Sequence, residues 1–405
     1  MDNITHSLVG LALADLGTRR GAPGAERRLT VVSGIIAANL PDIDLAYSAI
    51  TPAPLGYLLH HRGHTHTVLG VGVLMLALVV VYRLLPGARE MPRNGRFRLW
   101  IVSGAALASH MLLDALNSYG VHPFAPVNPT WYFGDAVFIF EPWLWMLLGV
   151  AAAWDARRRV VTMTSWLPIL VVPLAMTSAG IIPIEAVVSL AIVGSVFNSV
   201  AGRMLPGVRA AAGLTASTLV IVGLIVLSGM ARRQASAALQ PEILGTLVDV
   251  ILTPNPASPL CWGVIGIELH EAGGTYILRR GTLSLRPRWK DPRTCASHTF
   301  ERPQRVRVIA DGRLALTDEL RQPLARLREL AQRDCWVRAW LQFGRAPVFE
   351  GEEIVDLRFG GAGRNFSNMS LTRGGQPGGC PRYVPNWDTP RADLLGARLA
   401  APTSR

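Results

Sequence analysis

Residues 67–85, TVLGVGVLMLALVVVYRLL, form an apolar run long enough to cross a bilayer. No other feature constrains the fold as much, because in lipid a single segment satisfies its own backbone only as a helix. Runs of the same kind lie at 99–117, 138–154, 166–182, 184–200 and 211–231. Two shorter ones, 4–17 and 30–40, carry polar residues at one end and read as half-spans or as helices packed against the others. Only 17% of the residues are charged and 50% are hydrophobic, where a soluble domain carries about a quarter charged. The fold class expected is mainly α: a polytopic transmembrane helical bundle with a C-terminal soluble α+β domain.

Loop charge orients the spans. The loop 83–98 holds Arg83, Arg89, Arg93, Arg96 and Arg98, whereas 118–137 has no Lys or Arg. The stretch 155–159 is basic, the 181–184 turn is not, and 201–209 has Arg203 and Arg209. Positive loops stay inside, so the N-terminus and everything after the last span are expected outside, in the periplasm of a bacterial inner membrane. The net charge of +12 follows these loops, and no nucleic-acid partner is expected. The start MDNITHSLVG lacks a basic n-region, so no cleavable signal peptide is expected.

Residues 235–405 read as soluble and separate. CWGVIGIELHEAGGTYILRRGTLSL alternates around Gly-Gly as a β-hairpin, DELRQPLARLRELAQRD has helical spacing, WVRAWLQFG and EEIVDLRFG read as strands, and the tail from Gly360 reads as irregular. All four cysteines (Cys261, Cys295, Cys335 and Cys380) lie there without a CxxC pair. In an oxidising compartment they make up to two disulfides, with three pairings open. The expected domains are 1–155, a helical metal-dependent hydrolase-like membrane domain; 156–234, additional transmembrane helices; and 235–405, the soluble domain.

Seven of the nine histidines precede residue 123, within this apolar region. His6 opens the first helix, LPDID supplies Asp42 and Asp44, HHRGHTH supplies His60, His61, His64 and His66, and SHMLLD places His110 and Asp114 one helical turn apart. The topology puts all of them at the outer end of their helices. Imidazole with carboxylate suits zinc, manganese or iron better than calcium or magnesium. A divalent metal is therefore expected, zinc first, as one or two ions. Asp42, Asp44, His61, His66, His110 and Asp114 are the expected ligands. His6 alone also reads as a helix-start residue, and His60 and His64 as solvated interface residues. His122, Asp135 and Glu141 share the outer face as substrate-side residues or as parts of an interfacial loop, and His270 and His298 are expected on the outer domain's surface.

ITHSLVG, LPDID, HRGHTHTVL and SHMLLDALNSYGVHPFAP, in that order, resemble the YdjM-type family, the LexA-regulated membrane-bound metal-dependent hydrolases. The likeness covers roughly residues 1–150 and departs at Thr67, where Ser is usual, and at His64, where an aromatic is common. It implies that His6, Asp42, Asp44, His61, His66, His110 and Asp114 are metal residues. It also implies a distant similarity to zinc-dependent phospholipase C and helical nucleases, and so a phosphoester, free or lipid-linked, taken from the bilayer as substrate. Asp44 or Asp114 is the general base if not a ligand, and Arg62 is a candidate phosphate clamp. A metal transporter or metal sensor is the alternative, and it predicts further polar residues along the spans. Reporter fusions after Pro92, Pro126, Arg159 and Arg405 test the topology: periplasmic reporters should work at Pro126 and Arg405 only, and a cytoplasmic signal at Arg405 would overturn it.

Overall fold

Asp2 starts the first helix. Its carboxylate accepts from the backbone N–H of Ile4 and Thr5, capping α1 (Asn3–Gly17). The computed structural model describes residues 1–153, 171–295, 306–361, 365–372 and 379–396, so the basic stretch 155–159, the start of the 166–182 run and His298 lie outside the described residues. After α1 come α2 (Gly24–Asn39), α3 (Leu55–His60), α4 (Val68–Leu84), α5 (Pro86–Arg89), α6 (Arg93–Asp114), α7 (Pro142–Ala153), α8 (Ile184–Ala201) and α9 (Pro206–Leu239). α1 is central and packs on α2, α6, α7 and α9. Two glycines set its distance from α2. A Cβ on Gly10 would lie 2.4 Å from Gly34 O, and one on Gly34 would lie 2.6 Å from Gly10 O, so neither position accepts a side chain.

Among the described residues, three helices are long and apolar enough to cross a membrane: Gly24–Ile50, Ile184–Ala201 and Pro206–Glu242. A bent pair, Leu55–His66 with Val68–Leu84 at 68°, adds a fourth if it counts as one span. The short run expected at 30–40 is therefore part of a longer element. The chain stays helical beyond it because α2 passes into a 3-10 turn, Leu40–Ala46, with Pro41 at its start, where a missing N–H is tolerated. The run at 99–117 belongs to α6, which begins earlier at Arg93 and gives its last turn to His110 and Asp114. That helix is not among the three. Neither are the 15-residue α1 and the 12-residue α7.

α9 has 34 residues and so is about 51 Å long, well beyond a bilayer core of about 30 Å. Its far end carries Ala231, Ala235, Ala238 and Leu239 into a core with Val250, Leu252, Trp262, Leu283 and Leu314. That core belongs to a five-stranded antiparallel sheet. The strands are β1 (Thr246–Asn255), β2 (Ser258–His270), β3 (Thr275–Ser284), β4 (Arg307–Ile309) and β5 (Leu314–Pro323), in the order β1-β2-β3-β5-β4. β2 and β3 are the expected hairpin, pairing Ile265 with Arg280. A smaller sheet holds β6 (Pro347–Glu350), β7 (Glu353–Asp356) and β8 (Met369–Ser370).

Two local expectations are corrected. In DELRQPLARLRELAQRD, residues up to Pro323 are strand, and α10 spans only Leu324–Arg333. The strand expected in WVRAWLQFG is a helix, α11 (Cys335–Leu341), because Asp334 accepts from Trp336 N and Val337 N and caps it. Trp336 and Trp340, four residues apart, are both buried.

The expectation that residues 235–405 stand apart is also corrected. Leu55, Leu58 and Leu59 of α3, with Tyr119 and Trp131, share one core with Trp336, Trp340, Phe343, Val355 and Trp387. Trp387 Nε1 donates to Leu59 O at 2.7 Å, and Trp131 Nε1 donates to Gln342 O at 2.7 Å. Buried charges bolt the same junction. Arg345 reaches Asp135 at 2.9 Å and Asp249 of β1 at 2.9 Å, and Arg232 of α9 takes the other oxygen of Asp135 at 2.7 Å. Burial pushes the Asp249 carboxyl up, but Arg345, Arg391 and Arg232 hold it below the usual carboxylate range. This contribution to stability is present above that range and is lost as pH falls through the lowered value.

The four cysteines pair as Cys261–Cys295 and Cys335–Cys380, with Cα atoms 5.5 and 5.6 Å apart. Cys335 opens α11, whose Trp336 and Trp340 belong to the shared core. Replacing Cys335 and Cys380 by Ser should destabilise the protein by about 2–5 kcal/mol. Because the core is shared, protection of α3 backbone amides from hydrogen exchange should fall as well. Unchanged protection in α3 would contradict the shared core.

Candidate metal centre

The site is built where four elements end. α1 carries His6 in its first turn; the 3-10 turn after α2 carries Asp42 and Asp44; α6 ends with His110 and Asp114. The fourth element is the break between α3 and α4. There Arg62 takes a left-handed φ of 59°, which turns its backbone N–H onto Asp44 Oδ2 at 2.9 Å. A short turn, His64–His66, follows, and Thr67 caps α4 by accepting from Gly70 N at 2.8 Å. His66 thus comes from its own turn ahead of the helix. A hydroxyl at 67 is what that cap needs, and Thr supplies it as Ser would.

His6, Asp42, Asp44, His61, His66, His110 and Asp114 are brought together. One set of donors is Asp42, His66, His110 and Asp114, and a second is Asp42, Asp44 and His61, each within 4.8 Å. In the first set, His66 Nε2 lies 3.0 Å from His110 Nε2, 3.6 Å from Asp42 Oδ1 and 3.2 Å from Asp114 Oδ2. His110 Nε2 lies 3.4 Å from Asp42 Oδ1 and 3.5 Å from Asp114 Oδ2. These are five of the six edges of a tetrahedron. Ligand bonds of about 2.0–2.1 Å to one zinc ion require edges of roughly 3.3–3.4 Å. The four donors therefore fit a single tetrahedral cation.

The hydrogen bonds behind the donors set the tautomers. His110 Nδ1 meets Ala38 O at 2.6 Å, so Nδ1 carries the proton and Nε2 presents its lone pair. His66 Nδ1 faces Asp44 Oδ2 at 3.1 Å, which points its Nε2 at the same centre. Asp44 also accepts from Thr65 Oγ1 at 2.8 Å and lies 3.1 Å from His61 Nδ1. His6 stacks on His110 with centroids 3.8 Å apart. Among the described residues neither of its buried ring nitrogens has a hydrogen-bond partner, and its Nε2 stands 3.4 Å from Asp114 Oδ1. An unpaired buried imidazole is costly, and a cation beside it would remove that cost. The amino group of Met1 also lies against Asp114.

Arg62 is enclosed. Its Nε is 3.1 Å from Asp114 Oδ2, its Nη1 donates to Asn117 Oδ1 at 2.7 Å, and its guanidinium stands 4.9 Å over the Tyr119 ring. The other outer-face residues stay outside the cluster. His60 pairs with Thr51 at 2.8 Å, and His64 rests on Trp387. Asp135 is the ion-pair anchor described above, and Glu141 accepts from Ala257 N at 3.0 Å. His122 is clasped between Trp131 and Trp387, and burial pushes it down to about 3. Sequence reasoning missed Asn117, although it lies one turn beyond Asp114, and it missed Ala38 O, which has no sequence signal.

A family profile described as the YdjM inner membrane protein matches residues 1–183. Inner membrane protein YbcI of Escherichia coli (strain K12) is 30% identical over 180 residues, which cover 38% of this chain and 98% of YbcI. The chain belongs to the YdjM family. Uncharacterized protein YfhP of Bacillus subtilis (strain 168) is 24% identical over 163 residues, 38% of this chain, which spans only about half (47%) of YfhP. No solved structure matches. The family match ends at residue 183, so it includes every donor of the cluster and none of the sheets.

Elemental analysis of the detergent-purified chain tests the centre. Wild type should carry a divalent metal, and His66→Ala and His110→Ala should each lose it while remaining inserted. Full metal content in either variant would mean that the ion, if present, is held elsewhere.

Proposed function

We propose that this YdjM-family protein is a membrane-bound metal-dependent hydrolase of a phosphoester, working at the periplasmic face of a multi-pass bundle in a bacterial inner membrane. The observation that carries the reading is the set of four donors at tetrahedral spacing, oriented from behind by Ala38 O and Asp44. Their chemistry, two imidazoles with two carboxylates, favours zinc. When bound, a divalent ion there would supply Lewis acidity toward a phosphoryl oxygen and would make water nucleophilic near neutral pH at a fifth coordination position, because the four protein donors fill a tetrahedral shell.

The residues divide the work. Asp42, His66, His110 and Asp114 hold the ion. His61 Nδ1 faces Asp44, so the Asp44–His61 pair is placed to take a proton at His61 Nε2, or to complete a second ion with Asp42. Arg62, buried between Asp114 and Asn117, holds the Asp114 carboxylate rather than standing free as a phosphate clamp. The opening lies on the side of Asp42 and His61, the two donor residues that keep some exposure (side chains 15% and 11%). Exposed Ile4, Ile43, Leu45, Tyr57 and Phe366 belong to the same segments or touch them. An apolar rim around polar donors suits a phosphoester carried on a lipid. The two disulfides support a periplasmic place for residues 235–405.

Transport or sensing without hydrolysis is the competing reading, and it needs a polar path away from the cluster. Among the described residues, the next layer of α1, α2 and α6 is Gly10 against Gly34, then Ala14, Val31 and Val102. That seam is closed and apolar, and buried hydroxyls beside it are locally paired, Ser103 with Tyr82 at 2.7 Å and Thr30 with Glu26 O at 2.9 Å, which favours hydrolysis. The test is turnover of bis(p-nitrophenyl) phosphate and of phospholipid in mixed micelles. His61→Ala should keep the metal while kcat falls about 10²–10⁴-fold, and Arg62→Ala should weaken metal binding about 10–100-fold. A metal-loaded wild type that hydrolyses neither substrate would favour the competing reading.

A further inference from the structure

The opposite end of α1 holds a second polar feature, which the metal chemistry does not use. A cleft of about 600 Å³ is lined by Asp15, Leu16, Arg19, Arg20 and Arg27 on one side and by Pro206, Gly207, Val208 and Ala211 on the other. It lies roughly 15 Å along α1 from His6. Two of the three candidate spans, Gly24–Ile50 and Pro206–Glu242, begin at its walls. Residues of both first turns line the cleft, so the positive ends of two helix dipoles lie beside it.

Charge and polarity at the cleft are both informative. Its lining has three arginines and one acid, and that acid is committed: Asp15 Oδ1 lies 3.2 Å from Arg27 Nη2. Arg19 and Arg20 are exposed, and among the described residues neither guanidinium has a partner. Beside them Leu16 and Val208 expose 49% and 48% of their surface. Cations at the ends of spanning helices, next to apolar side chains that face outward, match a ligand with an anionic head and a hydrocarbon tail. Loop charge assigns this end to the cytoplasmic leaflet, where anionic lipids lie.

We propose that this cleft is a binding site for the headgroup of an anionic glycerophospholipid, with the phosphate held by Arg19 and Arg20 and the acyl chains against Leu16 and Val208. The site is separate from the metal centre and does not depend on the hydrolase reading.

The test is a lipid titration of the full detergent-solubilised chain, read by native mass spectrometry. Phosphatidylglycerol should bind saturably, and phosphatidylcholine should not. Arg19→Gln with Arg20→Gln should weaken phosphatidylglycerol about thirtyfold, from about 1 kcal/mol per arginine at the surface. The control pair Arg89→Gln with Arg93→Gln removes the same charge from exposed arginines on the same face and should leave binding unchanged. Equal binding of phosphatidylcholine, an unaffected Arg19/Arg20 variant, or an equal loss in the control pair would each overturn the proposal. Glycerol phosphate binding as tightly as the lipid would overturn it too, because the ligand would then be soluble.

Discussion

Three carboxylates crowd one buried point in this protein, and the arrangement around them follows from that constraint. Asp44 and Asp114 are essentially inaccessible, and Asp42 is only slightly open. Facing them are the Arg62 guanidinium and, in contact with Asp114, the Met1 ammonium. Counting both as cations still leaves the cluster negative. Imidazoles in the neutral form supply lone pairs but no charge, and burying a net negative charge unpaired is expensive. A dication at the meeting point of Asp42, His66, His110 and Asp114 resolves both problems. The Gly10–Gly34 approach is the mechanical counterpart: it brings α1, which carries His6, close to α2, whose following turn carries Asp42 and Asp44.

Much of the centre was legible before any geometry. His110 and Asp114 are one turn apart on a regular helix, and the loop arginines assigned the His/Asp segments to one side. The structure does converge them. The hidden part is the second layer. Ala38 O acts through the backbone and has no residue-type signal. Asp44 matches Asp42 in sequence, yet its oxygens are taken up by Arg62 N, Thr65, His61 and His66. Arg62 reads in the sequence as a phosphate clamp next to the ligands, and its contacts with Asp114 and Asn117 join residues more than fifty positions apart, which the sequence does not record.

The fold was less evenly legible. Apolar runs marked the helices, but the boundaries moved wherever a proline or a cap decided them: Pro41 let α2 continue, and Pro323 and Asp334 divided a strand from two helices. The junction between the bundle and the C-terminal sheets was invisible, because its parts are far apart in the chain. Trp387 on Leu59, Arg358 on Ser118 and Arg345 on Asp135 pair residues more than two hundred positions apart. Through them the sheet domain covers the HHRGHTH segment and fixes α3 behind the ligands. The soluble part therefore belongs to the support of the metal site.

The central claim is that two imidazole nitrogens and two carboxylate oxygens meet at one ion. X-ray absorption at the metal edge of the purified, metal-loaded chain measures this directly. The expected result is a first shell of nitrogen and oxygen only, near four-coordinate at about 2.0–2.1 Å, with imidazole outer-shell scattering from two histidines. A shell of six oxygens without imidazole scattering, or any sulfur ligand, would contradict it.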